Sequence, residues 1–312
     1  MGPFRKEGEM KAAWLALVAC AFVAGTVYAH TGPDIFIPYI DASRVTIDGA
    51  GTEWEDPTFY PQDMMLSSTD TPDYFGIVTG SELSGPEDWS GVLYLGWSTD
   101  NFLYGYSRVT DDILLIGVPR NGDAWKEDDI EIMTDADNSG GNYRSGYDLH
   151  AETAQQLHIR LGELPLEPGA NEDNTRCAIW ANEGAKWVTA PEYFYAEVVT
   201  PTETENVTYA FEWKLALWDE VGTSAEESVR HDLRASYDAG EPIGFGIAWD
   251  DADTELGTRD TQIGTMGPEG NRFWTNADHF NDAYLVDNPL YEVGTIVAVE
   301  PSSWGALKAS FK

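Results

Sequence analysis

Eight short runs rich in β-branched and aromatic residues most constrain the fold of this chain. Clusters of Gly, Pro, Asp or Asn separate these runs, as turns separate strands. The runs lie at residues 92–98, 102–109, 129–135, 157–161, 177–181, 194–199, 208–217 and 243–249. Many short strands joined by turns predict an all-β fold, a two-sheet antiparallel β-sandwich of jelly-roll-like or immunoglobulin-like type.

Two local signals refine this prediction. Residues 99–101 (Thr, Asp, Asn) separate the first two runs and predict a tight hairpin. The best helix candidate is 224–233, where Ser224 could cap the first turn and Glu227 follows three residues later. We therefore expect at most one or two short helices.

The run 129–135 alternates isoleucines with acidic residues and leads into a loop dense in carboxylates, amides and glycines. Oxygen ligands at alternate positions, with glycines that permit a sharp turn, resemble the first half of a calcium loop. The Glu that would complete an EF-hand falls on Gly146. Structural calcium and a plain solvated turn both stay open, since Asp, Asn, Ser and Gly also form turns. The candidate calcium ligands are Asp135, Asp137, Ser139 and Asn142.

A second acidic run, 250–260, follows the last strong strand. It could hold another cation, or it could be a solvated acidic loop.

Residues 1–29 have the features of an export signal: a basic start, an apolar run of small residues, and a small-x-small cleavage site before His30. Translation could also begin at Met10. A lipoprotein cleavage box ending at Cys20 is an alternative that would attach the chain to lipid. No later run approaches the ~18 apolar residues of a membrane helix. We expect a protein that is secreted, periplasmic or on the cell surface, without membrane insertion after signal cleavage.

The charge of the chain limits its partners. It carries 18 Lys plus Arg against 54 Asp plus Glu, a formal net charge of −36 at pH 7. Such charge repels nucleic acid and anionic lipid over a Debye length of ~8–10 Å, so we expect neither as a partner. Metal cations and neutral ligands remain compatible. Cys177 is the only cysteine after the signal, so we expect no internal disulfide.

Five segments, taken in order, resemble a known family. They are VTIDGAGTEWED (45–56), LYLGWSTDNFLYGYSRVTDDI (93–113), WKEDDIEIMTDADNSGG (125–141), TYAFEWKLAL (208–217) and GFGIAWDDAD (244–253). Each motif is short, but their order is similar to that of carbohydrate-binding module family 9 and its DOMON-like relatives, over about residues 40–288. The resemblance implies a β-sandwich that binds glycans, often with structural calcium, and usually as a non-catalytic module of an exported polysaccharide-degrading enzyme. No hydrolase domain is attached, so we expect a free-standing bacterial binding protein that supports carbohydrate catabolism.

Glycan binding requires exposed aromatic rings beside polar groups, because sugars stack their C–H faces on rings and pair their hydroxyls with polar side chains. Trp97, Trp213 and Trp249 lie in apolar strands and are expected in the core. Four other tryptophans lie in polar, turn-rich surroundings and could face a ligand: Trp89, Trp125, Trp187 and Trp274. For each of them, partial burial against loops is an equally open alternative. The candidate ligand-binding residues are Trp125, Asp128, Glu131, Trp187, Arg272, Trp274 and Asn276.

Residues 30–290 are predicted to form the binding domain, and 291–312 a tail that is either a sorting or attachment segment or a final edge strand with a frayed end. We expect no catalytic residues. Three alternatives stay open: a structural or adhesive envelope protein without a sugar site, a glycan-active hydrolase that uses two carboxylates, and a copper oxygenase. The last would use an N-terminal His30 with a second histidine; the possible partners are His150, His158, His231 and His279.

Overall fold

The computed structural model describes residues 30–119, 121–143, 154–162, 176–181, 183–266, 272–292 and 295–298. The predicted export signal, His150 and the tail after residue 298 lie outside the described residues. None of the helices in the described ranges combines the length and the apolar character needed to cross a membrane.

The described strands assemble mainly into two sheets. In chain order they are β1 (Ile35–Pro38), β2 (Leu66–Ser67), β3 (Gly76–Gly80), β4 (Trp89–Trp97), β5 (Leu103–Ile113), β6 (Asp129–Asp135), β7 (Ala154–Arg160), β8 (Cys177–Ala181), β9 (Phe194–Val199), β10 (Glu205–Leu215), β11 (Trp218–Glu220), β12 (Val229–Arg230), β13 (Ile243–Asp251), β14 (Thr261–Gly264), β15 (Asn281–Val286), β16 (Tyr291–Glu292) and β17 (Thr295–Ala298). The larger sheet has the order β1-β15-β13-β6-β7-β8, with β14 beside β13 and β3 beside β14. The smaller sheet has the order β2-β4-β5-β10-β9, and β11–β12 and β16–β17 are separate pairs.

The two sheets enclose a common apolar core. Ile130 and Ile132 of β6 pack in the same cluster as Trp213 of β10. Trp249 of β13 also belongs to this cluster, and its Nε1 donates to Ser107 Oγ of β5 at 3.0 Å. This contact ties one sheet to the other. The predicted two-sheet sandwich is confirmed. Among the named strands of the described ranges, pairing is antiparallel except between β1 and β15, which run parallel.

The tryptophans divide between core and surface largely as the sequence predicts. Trp97, Trp213 and Trp249 are fully buried, which confirms their assignment to the core. Trp89 is also buried, and its ring centroid lies 5.4 Å from that of Trp249. Of the two alternatives for Trp89, exposure to a ligand and burial, the structure shows burial. The reason is that β4 begins at Trp89 itself, three residues before the predicted strand run.

The helix prediction for 224–233 is also wrong. Ala225–Glu227 form one 3-10 turn, β12 follows it, and the α-helix α1 spans Leu233–Ala239. The predicted cap serine makes no side-chain capping bond. Asp232 instead caps α1, and Gly240 ends it at a φ of 69°. These two residues carry the ordinary start and stop signals of a helix.

The predicted hairpin at residues 99–101 is confirmed. Trp97 pairs with Leu103, and Asn101 takes the positive φ of 68° that the tight turn requires.

A buried carboxylate fastens the smaller sheet to the turn that precedes it. Glu212 on β10 is fully buried, and its Oε2 accepts the N–H groups of Asp48 (3.0 Å) and Gly49 (2.9 Å). Its Oε1 accepts Nε1–H of Trp54 at 2.8 Å. Burial raises the pKa of Glu212 to about 7, although the hydrogen bonds from Trp54 and Asp48 act to lower it.

This raised pKa predicts a stability that depends on pH. Folded Glu212 holds its proton more tightly than unfolded Glu212, whose ordinary pKa is 4.5. The resulting contribution to stability is therefore fully present below pH 4.5 and is lost as pH rises through about 7. We expect the wild type to lose melting temperature relative to Glu212→Gln between about pH 5.5 and about pH 8, measured by calorimetry. Glu205→Gln, exposed at the start of the same strand, is the matched control. A difference between wild type and Glu212→Gln that stays constant with pH would contradict the assignment.

Candidate functional site

A pocket of about 290 Å³ opens on the outer face of the larger sheet. Successive residues of a strand point to opposite sides, so Glu131 faces outward while Ile130 and Ile132 face the core. The lining residues are Trp125, Glu131, Gln156, Trp180, Arg259, Gln262, Phe273 and Trp274. The fold thus brings together Trp125, Glu131 and Trp274, three of the predicted ligand-binding residues.

Hydrogen bonds order the polar floor of this pocket. Gln156 Nε2 donates to Glu131 Oε2 at 2.6 Å. Gln262 Nε2 and Arg259 Nη1 both donate to Asp250 Oδ1, at 3.0 and 2.7 Å. The side-chain amide oxygens of Gln156 and Gln262 are buried and have no hydrogen-bond partner within the described part of the chain. The floor of the pocket thus includes two amide acceptors that the described residues leave without a donor.

The floor also concentrates acidic groups around one arginine. Burial, followed by the neighbouring Asp250, raises the pKa of Asp129 and of Glu131 well above the usual range. Burial acts to lower the pKa of Arg259, but Asp250 and Glu131 outweigh it and raise that pKa. The ligand atoms of Asp129, Glu131, Asp250 and His158 lie within 4.8 Å of one another, so this set could hold a cation. Arg259 already supplies a positive charge to three of these carboxylates.

Three indoles form the apolar part of the pocket. Trp125 lies in the 3-10 turn Asn121–Lys126, and its ring centroid is 4.9 Å from Lys126 Nζ and 5.1 Å from Arg259 Cζ. Trp274 lies in a turn before β15, and Trp180 lies in β8. All three residues are partly exposed.

A buried ion pair holds the turn that carries Trp125. Glu127 and Arg160 are both fully buried, and Arg160 Nε donates to Glu127 Oε1 at 2.5 Å. Glu127 Oε2 accepts the N–H groups of Gly117 (2.6 Å) and Val118 (2.7 Å). The pair therefore joins the loop before the turn to β7 below it.

Two predicted contacts, Asp128 and Trp187, lie away from the pocket lining. Asp128 is fully buried, and its oxygens accept the N–H groups of Leu115 and Ala252. It is one residue before Asp129 and therefore points to the opposite side of the sheet. Trp187 packs edge-on against the ring of Trp218 at 4.8 Å, in a separate aromatic group.

The remaining two predicted contacts, Arg272 and Asn276, flank the pocket-lining Phe273 and Trp274. Arg272 is exposed. Asn276 caps the 3-10 turn Ala277–His279, where its side chain accepts the N–H of Asp278 at 3.0 Å. Its amide oxygen therefore has a structural role already.

The predicted calcium loop is held by its own hydrogen bonds. Asp135 is fully buried, and its Oδ2 accepts the N–H of Gly140 at 2.7 Å. Ser139 Oγ donates to Asp135 Oδ1 at 3.3 Å, and Asp137 Oδ1 accepts the N–H of Ser139 at 3.3 Å. His30 Nε2 lies 3.3 Å from Asp135 Oδ2.

Asn142, the last candidate ligand, forms an isolated backbone bridge with Asn276. In the described ranges, the groups of three or more acidic or histidine side chains with metal-binding spacing do not include Asp135 or Asp137. Calcium in this loop stays a prediction.

His30, the residue on which the copper alternative depends, has carboxylates at both ring nitrogens. Its Nδ1 lies 2.9 Å from Asp282 Oδ1, and its Nε2 contacts Asp135. A copper clamp at His30 would have to break these contacts.

Sequence reasoning missed five lining residues: Gln156, Trp180, Arg259, Gln262 and Phe273. Two signals could have found some of them. Trp180 follows the core residue Ile179 in a predicted strand, so period-two alternation turns it outward. Arg259 is the only basic residue in the acidic run 250–260, where it is an obvious countercharge.

The chain is similar to one family model and to several solved structures. The sequence model of the family described as "Carbohydrate family 9 binding domain-like" matches residues 61–288. A carbohydrate binding module family 9 from Caldicellulosiruptor kristjanssonii in complex with cellotriose is 16% identical, with a TM-score of 0.48 over 86% of this chain and 100% of that one. The same organism's module in complex with glucose is 16% identical, with a TM-score of 0.46 over 82% of this chain and 96% of that one. No curated protein matches the chain.

The Glu127–Arg160 pair predicts a large loss of stability when one partner is removed. We expect Arg160→Met to lower the free energy of unfolding by about 3–5 kcal/mol, because it leaves the Glu127 carboxylate buried without its countercharge. Urea denaturation measures this. Arg44→Met, which removes the exposed ion pair between Arg44 and Asp56, is the matched control and should cost about 1 kcal/mol or less. Equal costs for the two variants would contradict the structural role of the buried pair.

Proposed function

The chain belongs to the carbohydrate family 9 binding domain-like family, and on this premise we propose that its outer-face pocket binds an oligosaccharide or polysaccharide without cleaving it. The observation that carries the proposal is the combination of three partly exposed indoles with the polar side chains of Gln156, Gln262 and Arg259 in one pocket.

The aromatic residues supply the apolar half of sugar recognition. A pyranose ring presents C–H groups that pack on the face of an indole, so the indoles offer an apolar surface to a sugar. Trp125 and Trp274 come from turns, and Trp180 comes from a strand of the rigid sheet. A sugar ring that enters the pocket thus meets indoles from separate parts of the chain.

The polar floor supplies the other half. Sugar hydroxyls are both donors and acceptors, so they suit a pocket lined by side-chain amides and a guanidinium group. Gln156 and Gln262 supply the amides, while hydrogen bonds within the floor hold Arg259 and Glu131 in place. Because these positions are fixed before a ligand arrives, little side-chain conformational entropy is lost on binding.

Export and a role in carbohydrate catabolism complete the proposal. The export-signal pattern in residues 1–29 supports a location outside the cytoplasm, where polysaccharides occur. The strong negative charge of the chain is compatible with a neutral glycan and disfavours polyanionic ones.

The pocket predicts that Trp125 is required for glycan affinity. We expect Trp125→Ala to weaken binding at least tenfold, ~1.4 kcal/mol, because a stacking surface is lost. Titration calorimetry with cellotriose, xylotriose, mannotriose and maltotriose, together with affinity gels that contain the corresponding polysaccharides, measures this. Trp187→Ala is the control, since Trp187 belongs to a separate aromatic group. It should keep the wild-type affinity when measured well below its melting temperature.

The same panel tests the alternatives. Absence of binding to every glycan, by a protein with a normal melting curve, would overturn the proposal in favour of a structural or adhesive envelope protein. Release of reducing ends would overturn the non-catalytic part. Wild-type affinity in Trp125→Ala would move the sugar site elsewhere.

A further inference from the structure

A separate cavity of about 320 Å³ lies between the two sheets at one edge of the sandwich. Its walls come from β3 and β14 of the larger sheet, from β4 of the smaller sheet, and from the loops 68–75 and 81–88 that flank β3. It shares no lining residue with the outer-face pocket. We call it the edge cleft, and its large apolar side chains are those of Phe75, Ile77, Leu83, Trp89 and Ile263.

These five side chains extend the core to the surface of the protein. Trp89 and Ile263 are buried members of the core between the sheets. Phe75, Ile77 and Leu83 pack on that core but are themselves partly exposed. The ring centroids of Phe75 and Trp89 lie 6.3 Å apart. An apolar group that enters the edge cleft would therefore be removed from water against apolar surface, which favours binding.

An independent observation points to a missing acceptor in the edge cleft. Trp89 is 2% exposed, and its Nε1–H has no hydrogen-bond partner among the residues that the structure describes. The neighbouring indole, Trp249, by contrast donates its Nε1–H to Ser107 Oγ at 3.0 Å. A buried N–H group without an acceptor is unfavourable. A ligand that brings an acceptor oxygen to Trp89 would remove this cost.

Hydrogen bonds hold both loops of the edge cleft in place. In the first loop, the N–H and the hydroxyl of Thr71 donate to the carbonyl oxygen of Ser67, at 2.8 and 3.0 Å. In the second loop, the carboxylate of Asp88 accepts the N–H of Ser84. The cleft is therefore formed before a ligand arrives, and this limits the conformational entropy that binding would cost.

The charge around the edge cleft and its size limit the class of ligand. Residues 66–91 contain five acidic side chains and no Lys or Arg. Four of the acids are exposed in the two loops, so an anion would be repelled: Asp70, Asp73, Glu82 and Glu87. An apolar cavity of about 150 Å³ holds one benzene molecule. The edge cleft, at about 320 Å³, can therefore hold one aromatic ring with a short substituent.

We propose that the edge cleft is a second ligand-binding site, for an uncharged aromatic compound that carries an ester or ketone oxygen. The ring would pack on Phe75 and Leu83, and the oxygen would accept the Nε1–H of Trp89. Gln262 lines the outer-face pocket, whereas the next residue of β14, Ile263, lines the edge cleft. The two sites therefore lie on opposite faces of the larger sheet, and the proposal does not depend on glycan binding.

The NMR signals of the indole N–H groups test the site directly. In protein labelled with nitrogen-15, the signal of Trp89 is identified by its absence in Trp89→Phe. We expect methyl benzoate, an uncharged ester, to move this signal downfield with saturation below about 5 mM, because the N–H gains an acceptor. Toluene has the ring without the acceptor and should give no downfield shift. Benzoate should bind at least tenfold more weakly than the ester, because the acidic loops repel it.

Two outcomes of this titration would overturn the proposal. One is a Trp89 signal that none of the three compounds moves. The other is a response to methyl benzoate confined to the signals that are absent in Trp125→Phe and Trp274→Phe, which would assign the ester to the outer-face pocket. Titration with cellotriose tests the proposed sugar site separately, so either proposal can fail alone.

Substitutions separate the apolar and polar parts of the edge cleft. Trp89→Phe should weaken methyl benzoate binding about three- to tenfold, the effect of one hydrogen bond, and should change toluene binding less than about twofold. Leu83→Glu should abolish binding of the ester, because it places a charge on the apolar wall. Leu256→Glu, at an exposed leucine of another loop, is the matched control and should bind like the wild type. Wild-type affinity for methyl benzoate in a folded Leu83→Glu variant, measured by titration calorimetry, would overturn the proposal.

Discussion

The alternation of side chains along β6 and β13 is the constraint on which both the core between the sheets and the pocket on the outer face depend. Ile130 and Trp249 face the other sheet and fill the core, so the residues next to them must face away. As a result, neighbouring aspartates separate: Asp250 contributes to the pocket floor, whereas Asp251 points between the sheets. A register change of one residue would exchange these two environments and expose the core residues.

The two acidic groups differ in how their charge is balanced. At the pocket floor, Arg259 bonds Asp250 and lies over Trp125, so one cation serves both the carboxylates and the aromatic wall. The positive charge of Arg259 thus offsets part of the carboxylate charge beside the pocket. Between the sheets, burial and the neighbouring carboxylates of Asp253 and Asp111 raise the pKa of Asp251 to about 9. Adjacent aspartates of one strand therefore lie in two different electrostatic environments, which the surrounding residues determine.

Much of the fold could be predicted from local sequence, because the composition and alternation typical of a β-strand are recognisable within a few residues. The run 129–135 matches β6, and Trp125 and Glu131 share the pocket because a single turn separates them. The rest depended on long-range pairing. Arg259 reaches Trp125 only because β14 returns beside β13, and no spacing rule within one segment reports that. Asp128 was predicted to contact a ligand but is buried. It directly precedes β6, so the side of the sheet to which it points is set by the register of that strand, and the core residues determine this register.

The parallel pair at the edge of the larger sheet has a consequence for how the protein folds. β1 lies near the beginning of the described chain and β15 near its end, yet Ile35 pairs with Ala283. Closing so long a loop costs entropy that a hairpin such as β4–β5 does not incur. This edge is therefore expected to join late in folding, after the hairpins have built the sheets that receive it. During synthesis, β1 would therefore stay unpaired until nearly all of the domain has been made.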